Sequence, residues 1–293
     1  MQASLLTNLL LPLALGIIML GLGLGLTLDD FRRVARYPRA VLIGLALQTL
    51  VLPWAAFGLA LGFGLPAELA VGLMLLAASP GGATANIYSH LARGDVALNI
   101  TLTAINSLLC LLTLPVILNL SLEYFLGAGQ YVPPPTKKVI EVAAIILLPV
   151  AIGMVVRARA AGFAARTEKP IRLLSVLVLA LLVVAAVAQE WKTLTTYFAI
   201  VGLACLLFNL ASMGAGYAAP LALCLPKKQA IAIAMEIGIH NGTLAIFIAL
   251  NVLQSSTIAA PAAVYSLLMF LTAALFAGWL VRAGRREGAG GLA

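Results

Sequence analysis

Apolar residues run through this chain in long stretches, and polar residues gather in the short intervals between them. Nine stretches can be marked, at about 5–27, 40–62, 67–92, 96–120, 138–156, 171–189, 195–224, 229–252 and 258–281. Each approaches the ~20 residues that a helix needs to cross a ~30 Å hydrocarbon core. Helices satisfy their backbone groups internally, as lipid demands, whereas the strands of a membrane barrel would alternate in polarity, and these stretches do not. The pattern predicts an all-α polytopic membrane protein of nine spans. The first stretch has no basic region before it and no A-x-A-like site after it, so it reads as a span rather than a signal peptide.

Two stretches break the pattern from within. In "ASPGGATANIYSHLARGD" the third span places Pro80, Gly81 and Gly82 at mid-membrane. Proline removes a donor and glycine weakens a helix, so this span is predicted to divide into half-helices of roughly 66–79 and 83–93. The eighth span, "AMEIGIHNGTLAIFIAL", carries Glu236, Gly238, His240, Asn241 and Gly242 at a similar depth and is predicted to break near 237–240. Spans 3 and 8 run in opposite directions and lie five apart, as do spans 1 and 6, 2 and 7, and 4 and 9. That is the arrangement of an inverted five-helix repeat lacking its first helix. Breaks at corresponding places in two inverted halves point to a transporter's midplane site.

Composition agrees with the pattern: of 293 residues, 63% are hydrophobic and 10% charged, with mean hydropathy +1.10. The formal charge of +8 lies in short loops without interleaved aromatics, which argues against a nucleic acid partner and for a topological role. Alternate connections hold fifteen basic residues (Arg32, Arg33, Arg36, Arg39, Arg93, Arg157, Arg159, Arg166, Lys169, Arg172, Lys227, Lys228, Arg282, Arg285 and Arg286) against three (Lys137, Lys138 and Lys192). The expected topology in a plasma or bacterial inner membrane has the amino terminus outside and the carboxyl terminus in the cytoplasm. Cys110, Cys205 and Cys224 form neither a disulfide framework nor a metal pattern. No pattern specifies an oligomeric state, and no cofactor motif is present.

Chemistry concentrates around Glu236. A carboxylate at mid-bilayer costs at least ~2.5–3.5 kcal/mol, so it calls for a cavity, a partner or an ion. All eighteen Lys and Arg sit in loops or at span ends, which favours a counter-charge from outside the chain, a metal ion or a proton. Candidate neighbours carry oxygen: Gln48 on span 2, Asn86 after the first break, and Asn99 with Thr103 on one face of span 4. A single carboxylate among neutral oxygens suits a monovalent hard cation. The breaks also open two helix N-termini, at Ala83, Thr84 and Ala85 and at Asn241, Gly242 and Thr243, where backbone amides attract anionic groups. An organic anion, a carboxylate first of all, is the expected substrate. Zinc is disfavoured by a total of two histidines and no H-E-x-x-H, and "SPGG" lacks the strand and lysine of a phosphate loop.

The segments "GLGLGLTLDDFRRVARYPRAVLIG", "LPAELAVGLMLLAASPGGATAN", "LARGDVAL" and "EIGIHN" closely resemble the bile acid:sodium symporter family over nearly the whole chain, in its nine-span form. The resemblance implies a panel domain (here 5–28 and 138–189) and a core domain (39–124 and 195–283), with the two broken helices crossing in the core. It implies sodium-coupled symport of organic anions, bile-acid-like or smaller, by rocking of core against panel. It carries one sodium site onto Ala85, Asn86, Asn99, Thr103 and Glu236, with Ala85 and Asn99 where the family usually has serines. It carries the other onto Gln48, Glu236, Ile237, Ile239 and His240, and here a histidine, a poor sodium ligand when neutral, stands where the family usually has glutamine.

Competing readings are a proton-coupled organic anion carrier using Glu236 or His240, an uncoupled receptor or channel, and an intramembrane hydrolase. For the last the sequence supplies no activated nucleophile with a base and an orienting third group. The expectation is therefore a carrier, not an enzyme, with sodium ions, a small organic anion and the lipid bilayer as its partners.

Overall fold

The computed structural model describes residues 11–25, 27–32, 36–82, 84–127, 148–149, 151–167, 170, 174, 177 and 191–290. These residues are almost entirely helical: α1 Leu11–Gly25, α2 Leu28–Arg32, α3 Pro38–Gly62, α4 Ala67–Ala78, α5 Ala85–Leu91, α6 Val96–Leu126, α7 Trp191–Ala222, α8 Lys227–Gly238, α9 Gly242–Asn251 and α10 Ser256–Gly290. Residues 151–159 and 161–167 are also helical. Much of the stretches at 138–156 and 171–189, and so most of the expected panel segment 138–189, lies outside the described residues. No strand occurs among the described residues, only one isolated antiparallel bridge between Gly81 and His240.

Among the described residues, four helices are long and apolar enough to cross a membrane: α3, α6, Tyr197–Ala222 within α7, and Ser256–Arg282 within α10. The chain is a multi-pass membrane protein. Large apolar side chains such as Trp54, Leu112, Leu120, Leu271 and Leu275 are turned outward on these helices, as lipid in place of water permits. The short helices are placed differently. In α4 every residue from Leu69 to Ala78 is buried, and in α8 every residue from Ala230 to Gly238. Apart from Glu236 these buried runs are apolar all round, as suits an interior helix, and the two form the centre around which α3, α6, α7 and α10 pack.

Helix ends recur at a constant offset along the chain. Gly62 and Ala222 end α3 and α7, Ala67 and Lys227 begin α4 and α8, Ala78 and Gly238 end them, and Val96 and Ser256 begin α6 and α10. Loop detail follows the same offset. Gly64 and Cys224 both have positive φ, 56° and 60°. The amides of Leu65 and Leu225 reach back five residues to the carbonyls of Ala60 and Pro220, each at 2.9 Å. Asp95 caps α6 by accepting from the Leu98 amide, and Ser255 caps α10 by accepting from the Ile258 amide. Contacts between the halves exchange partners in the same way: the Asp95 amide donates to the Lys228 carbonyl, and the Ser255 hydroxyl faces Glu68.

One irregularity shapes α3. Pro53 has no amide to offer the Thr49 carbonyl, and just before it the helix widens into a π-turn over Leu47–Val51, with the Leu52 amide bonded to the Leu47 carbonyl. Gln48, a polar residue in this turn, is buried against the end of α4.

Candidate functional site

The site starts from a backbone requirement. Breaking α4 from α5 and α8 from α9 leaves amides and carbonyls without helical partners, and buried backbone groups need others. The two broken segments satisfy one another. The Gly82 amide donates to the Ile239 carbonyl at 2.6 Å, and the Asn241 amide donates to the Pro80 carbonyl at 2.8 Å. So the breaks cross as a minimal antiparallel pair.

Side chains from the flanking long helices take the remaining carbonyls. Gln48 Nε2 donates to the Ser79 carbonyl at 2.9 Å and lies 3.3 Å from that of Ala77. His240 Nδ1 also faces the Ser79 carbonyl, at 3.2 Å. Since a carbonyl only accepts, this contact places a proton on Nδ1; in the neutral ring Nε2 is then an acceptor, and it has no hydrogen-bond partner. Its ring stacks on Phe208, with centroids 5.5 Å apart, and meets Tyr265 edge-on. On the other half, Asn209 Nδ2 and the Tyr265 hydroxyl each donate to the Gly238 carbonyl at 2.8 Å, and Thr272 donates to Asn209 Oδ1 at 2.5 Å.

Glu236 lies two residues before the end of α8 and is fully buried. The Thr103 hydroxyl donates to its Oε2 at 2.5 Å, and Asn106 Nδ2 donates to its Oε1 at 3.3 Å. Asn99 uses its Nδ2 on the Ala232 carbonyl at 2.8 Å, leaving a buried Oδ1 without a hydrogen bond. Gly81 makes the close approach possible, because a Cβ at that position would run into the Glu236 carboxyl group. Among the described residues the ion pair is Arg32 with Asp29, at the surface; Glu236 meets neutral donors and no basic side chain. A carboxylate, an amide oxygen and a hydroxyl within one buried cluster form an all-oxygen set suited to a hard cation.

The structure thus joins Glu236 to Thr103 directly, and Asn99 to the same helix through Ala232. Gln48 and His240 meet at the Ser79 carbonyl, while no hydrogen bond links Gln48 to Glu236. Ile237 and Ile239 are buried beside the break. Ala85 is buried, its amide bonded to the Gly82 carbonyl, and Thr84 and Asn86 lie half-buried at the start of α5. Asn241 caps α9 by accepting from the Leu244 amide at 3.0 Å, with Gly242 and Thr243 buried behind it. Ala83 lies outside the described residues. Sequence reasoning passed over Asn106, Ser79, Asn209, Tyr265 and Thr272. For Asn106 the signal was present: it lies three residues beyond Thr103 and seven beyond Asn99, on one helix face.

A family model described as the sodium bile acid symporter family matches residues 12–197. The chain belongs to this family. It is 32% identical over 283 residues to the uncharacterized sodium-dependent transporter YocS of Bacillus subtilis, covering 94% of this chain and 84% of that one. It is 28% identical over 263 residues to the probable chloroplastic sodium/metabolite cotransporter BASS2 of Oryza sativa, covering 89% of this chain and 61% of the relative. It also matches the ileal sodium/bile acid cotransporter of Oryctolagus cuniculus at 28% over 153 residues, covering 52% of this chain and 44% of the relative. This is a family of sodium-dependent transporters rather than enzymes, and sodium is the coupling ion that membership implies.

Proposed function

We propose that the chain is a secondary active carrier that couples sodium entry to import of a small organic anion by alternating access. The observation that carries this is Glu236: a fully buried carboxylate held by Thr103 and Asn106, with no basic partner among the described residues. A buried charge needs compensation. Sodium bound by Glu236, Asn99, Thr103, Asn86 and the backbone at Ala85 provides it, and release of the ion changes the free energy of the crossing.

The finer architecture belongs to the same reading. The constant offset of helix ends, and contacts that exchange partners under it, support two inverted halves; nine spans with the amino terminus outside rest on the hydropathy pattern and the placement of the basic residues. The N-termini of α5 and α9, with Thr84, Asn241, Gly242, Thr243 and, by sequence, Ala83, sit where an anionic substrate would be held. The core of 39–124 and 195–283 would rock against the panel of 5–28 and 138–189. Relatives are named for bile acids and for unspecified metabolites, and the bile acids among these are organic anions, which supports the anion reading.

Proteoliposomes with sodium and proton gradients imposed separately test the proposal. An inward sodium gradient is expected to drive uptake of a transported carboxylate, and Glu236→Gln to abolish that drive while leaving an inserted, folded protein. Uptake driven by a proton gradient alone would make the chain a proton-coupled carrier instead, and unchanged sodium drive in Glu236→Gln would remove the carboxylate from the mechanism.

A further inference from the structure

Two aromatic clusters lie away from the crossing, one in each half of the chain. In the first, Phe57 of α3 meets Trp54, Tyr124 and Phe125, with ring centroids 5.9, 4.9 and 5.6 Å away. In the second, Tyr217 of α7 meets Phe276 and Trp279 of α10 at 5.6 and 6.2 Å. Phe57 and Tyr217 are related by the same offset that relates Gly62 to Ala222. Each half therefore carries one aromatic hub and ties it to the far part of its own long helix, α6 or α10.

These rings are turned outward. Trp54, Tyr124 and Trp279 are 73%, 61% and 55% exposed. Each carries an N–H or O–H, and among the described residues none of these three donors has a hydrogen-bond partner. Their depth follows from the helices that bear the hubs. Gln48 donates to the Ser79 carbonyl and Asn209 to the Gly238 carbonyl, so both lie at the level of the crossing. Phe57 comes nine residues after Gln48 and Tyr217 eight after Asn209, a rise of roughly 12 Å for each at ~1.5 Å per residue. The hydrocarbon of a bilayer extends ~15 Å to either side of its centre. With the crossing at midplane, both hubs stand just beneath the hydrocarbon boundary, and inverted halves put them in opposite leaflets. An exposed ring with one polar tip suits that boundary, where its face meets acyl chains and ester carbonyls accept from its N–H or O–H.

We propose that each cluster is a docking surface for the glycerol and ester region of phospholipids, one in each leaflet, and that together they hold the crossing and Glu236 midway between the two membrane surfaces. The proposal rests on the reading of two inverted halves. Arg282 is exposed three residues beyond Trp279 and adds a donor for lipid phosphate to the α10 cluster, whereas Glu123 precedes Tyr124 in the other.

Fluorescence quenching by brominated phosphatidylcholine in proteoliposomes tests this, on full-length chains that keep Trp54 or Trp279 alone, the other tryptophans changed to Phe. Each remaining tryptophan is expected to lose more of its fluorescence to bromines high on the acyl chain than to bromines near the chain end. Quencher lipid exchanged into the outer leaflet of uniformly oriented vesicles is expected to reach one of the two tryptophans and spare the other. Stronger quenching from the bilayer centre, or quenching of both from one leaflet, overturns the proposal. So does an absence of quenching, as aqueous exposure or a covering second copy of the chain would give. Should a single-tryptophan chain not fold, spin labels on Tyr124→Cys and Trp279→Cys in a Cys224→Ser chain serve instead. Collisions with a water-soluble nickel complex are expected to dominate there, and collisions with oxygen at Leu112→Cys and Leu271→Cys, exposed positions in mid-helix. Equal depth for all four labels overturns the anchors. The inverted reading has its own readout, thiol labelling of Cys224 and of Gly64→Cys from opposite sides, and can stand when the anchors fall.

Discussion

Glu236 is held by one hydroxyl at 2.5 Å and one amide at 3.3 Å, so the hydroxyl carries the shorter contact. Thr103→Val keeps the volume and removes that donor. Loss of a hydrogen bond to a charged group costs about 1.5–3 kcal/mol, which predicts a sodium affinity weakened by roughly ten- to a hundredfold with the fold retained. Sodium titration of uptake or of protein stability reads this out, and an unchanged affinity would place Thr103 outside the ion site. Gly81→Ala is expected to act on the same carboxylate from the opposite side, since its Cβ would overlap the carboxyl group itself. The prediction is loss of sodium-dependent stabilisation together with a lower Tm, about 1–3 kcal/mol for an added methyl with no room to relax. Gly82→Ala, whose Cβ would come no closer than 3.2 Å, to the His240 carbonyl oxygen, is expected to be milder.

At the scale of elements, both breaks are held open by side chains from unbroken neighbours. Asn209 and Tyr265 hold the end of α8, as Gln48 holds the end of α4. Asn209→Leu leaves Tyr265 alone on the Gly238 carbonyl and removes the nearest of the acceptors that Thr272 meets, the carbonyls of Leu268 and Met269 remaining. A destabilisation of about 1–3 kcal/mol is expected, seen as a lower Tm with or without sodium, because Asn209 does not touch Glu236. A change confined to sodium-bound protein would instead tie Asn209 to the ion. The half-helices were legible in sequence because Pro80 and the glycines cannot sustain a helix: α4 ends at Ala78 and α8 at Gly238. The π-turn in α3 was not legible. Pro53 marked a place where the ladder must fail, but not whether it would kink, break or widen.

For the whole molecule, the basic residues propose an orientation and the recurring loops make it testable with a cysteine the chain already has. Cys224 is exposed between α7 and α8, whereas Cys110 and Cys205 are buried. With the amino terminus outside, Cys224 faces the cytoplasm, and a membrane-impermeant thiol reagent is expected to label it in inside-out but not right-side-out vesicles. Gly64 occupies the equivalent loop of the other half, also at positive φ, and Cys224 is direct evidence that a cysteine fits such a backbone. Gly64→Cys in a Cys224→Ser chain is expected to be labelled from the outside only. Labelling of both from one side would end the inverted arrangement.

The sequence by itself determined that the chain lives in a membrane, because apolar length and the scarcity of charge are properties of composition and order alone. It determined where two helices fail, since proline and glycine act on the backbone locally, and it singled out Glu236, since a mid-span carboxylate is anomalous whatever surrounds it. Tertiary structure decided which groups meet. Gln48 and His240 share the Ser79 carbonyl, and Asn106, not Asn99, completes the grip on Glu236. Asn99, Thr103 and Asn106 share one helix face and are equivalent by spacing. Only the depth and rotation of α6 against α8 determine which of them reaches the carboxylate, and those are set by packing among Gly81, Ala232 and the two helices rather than by any local signal.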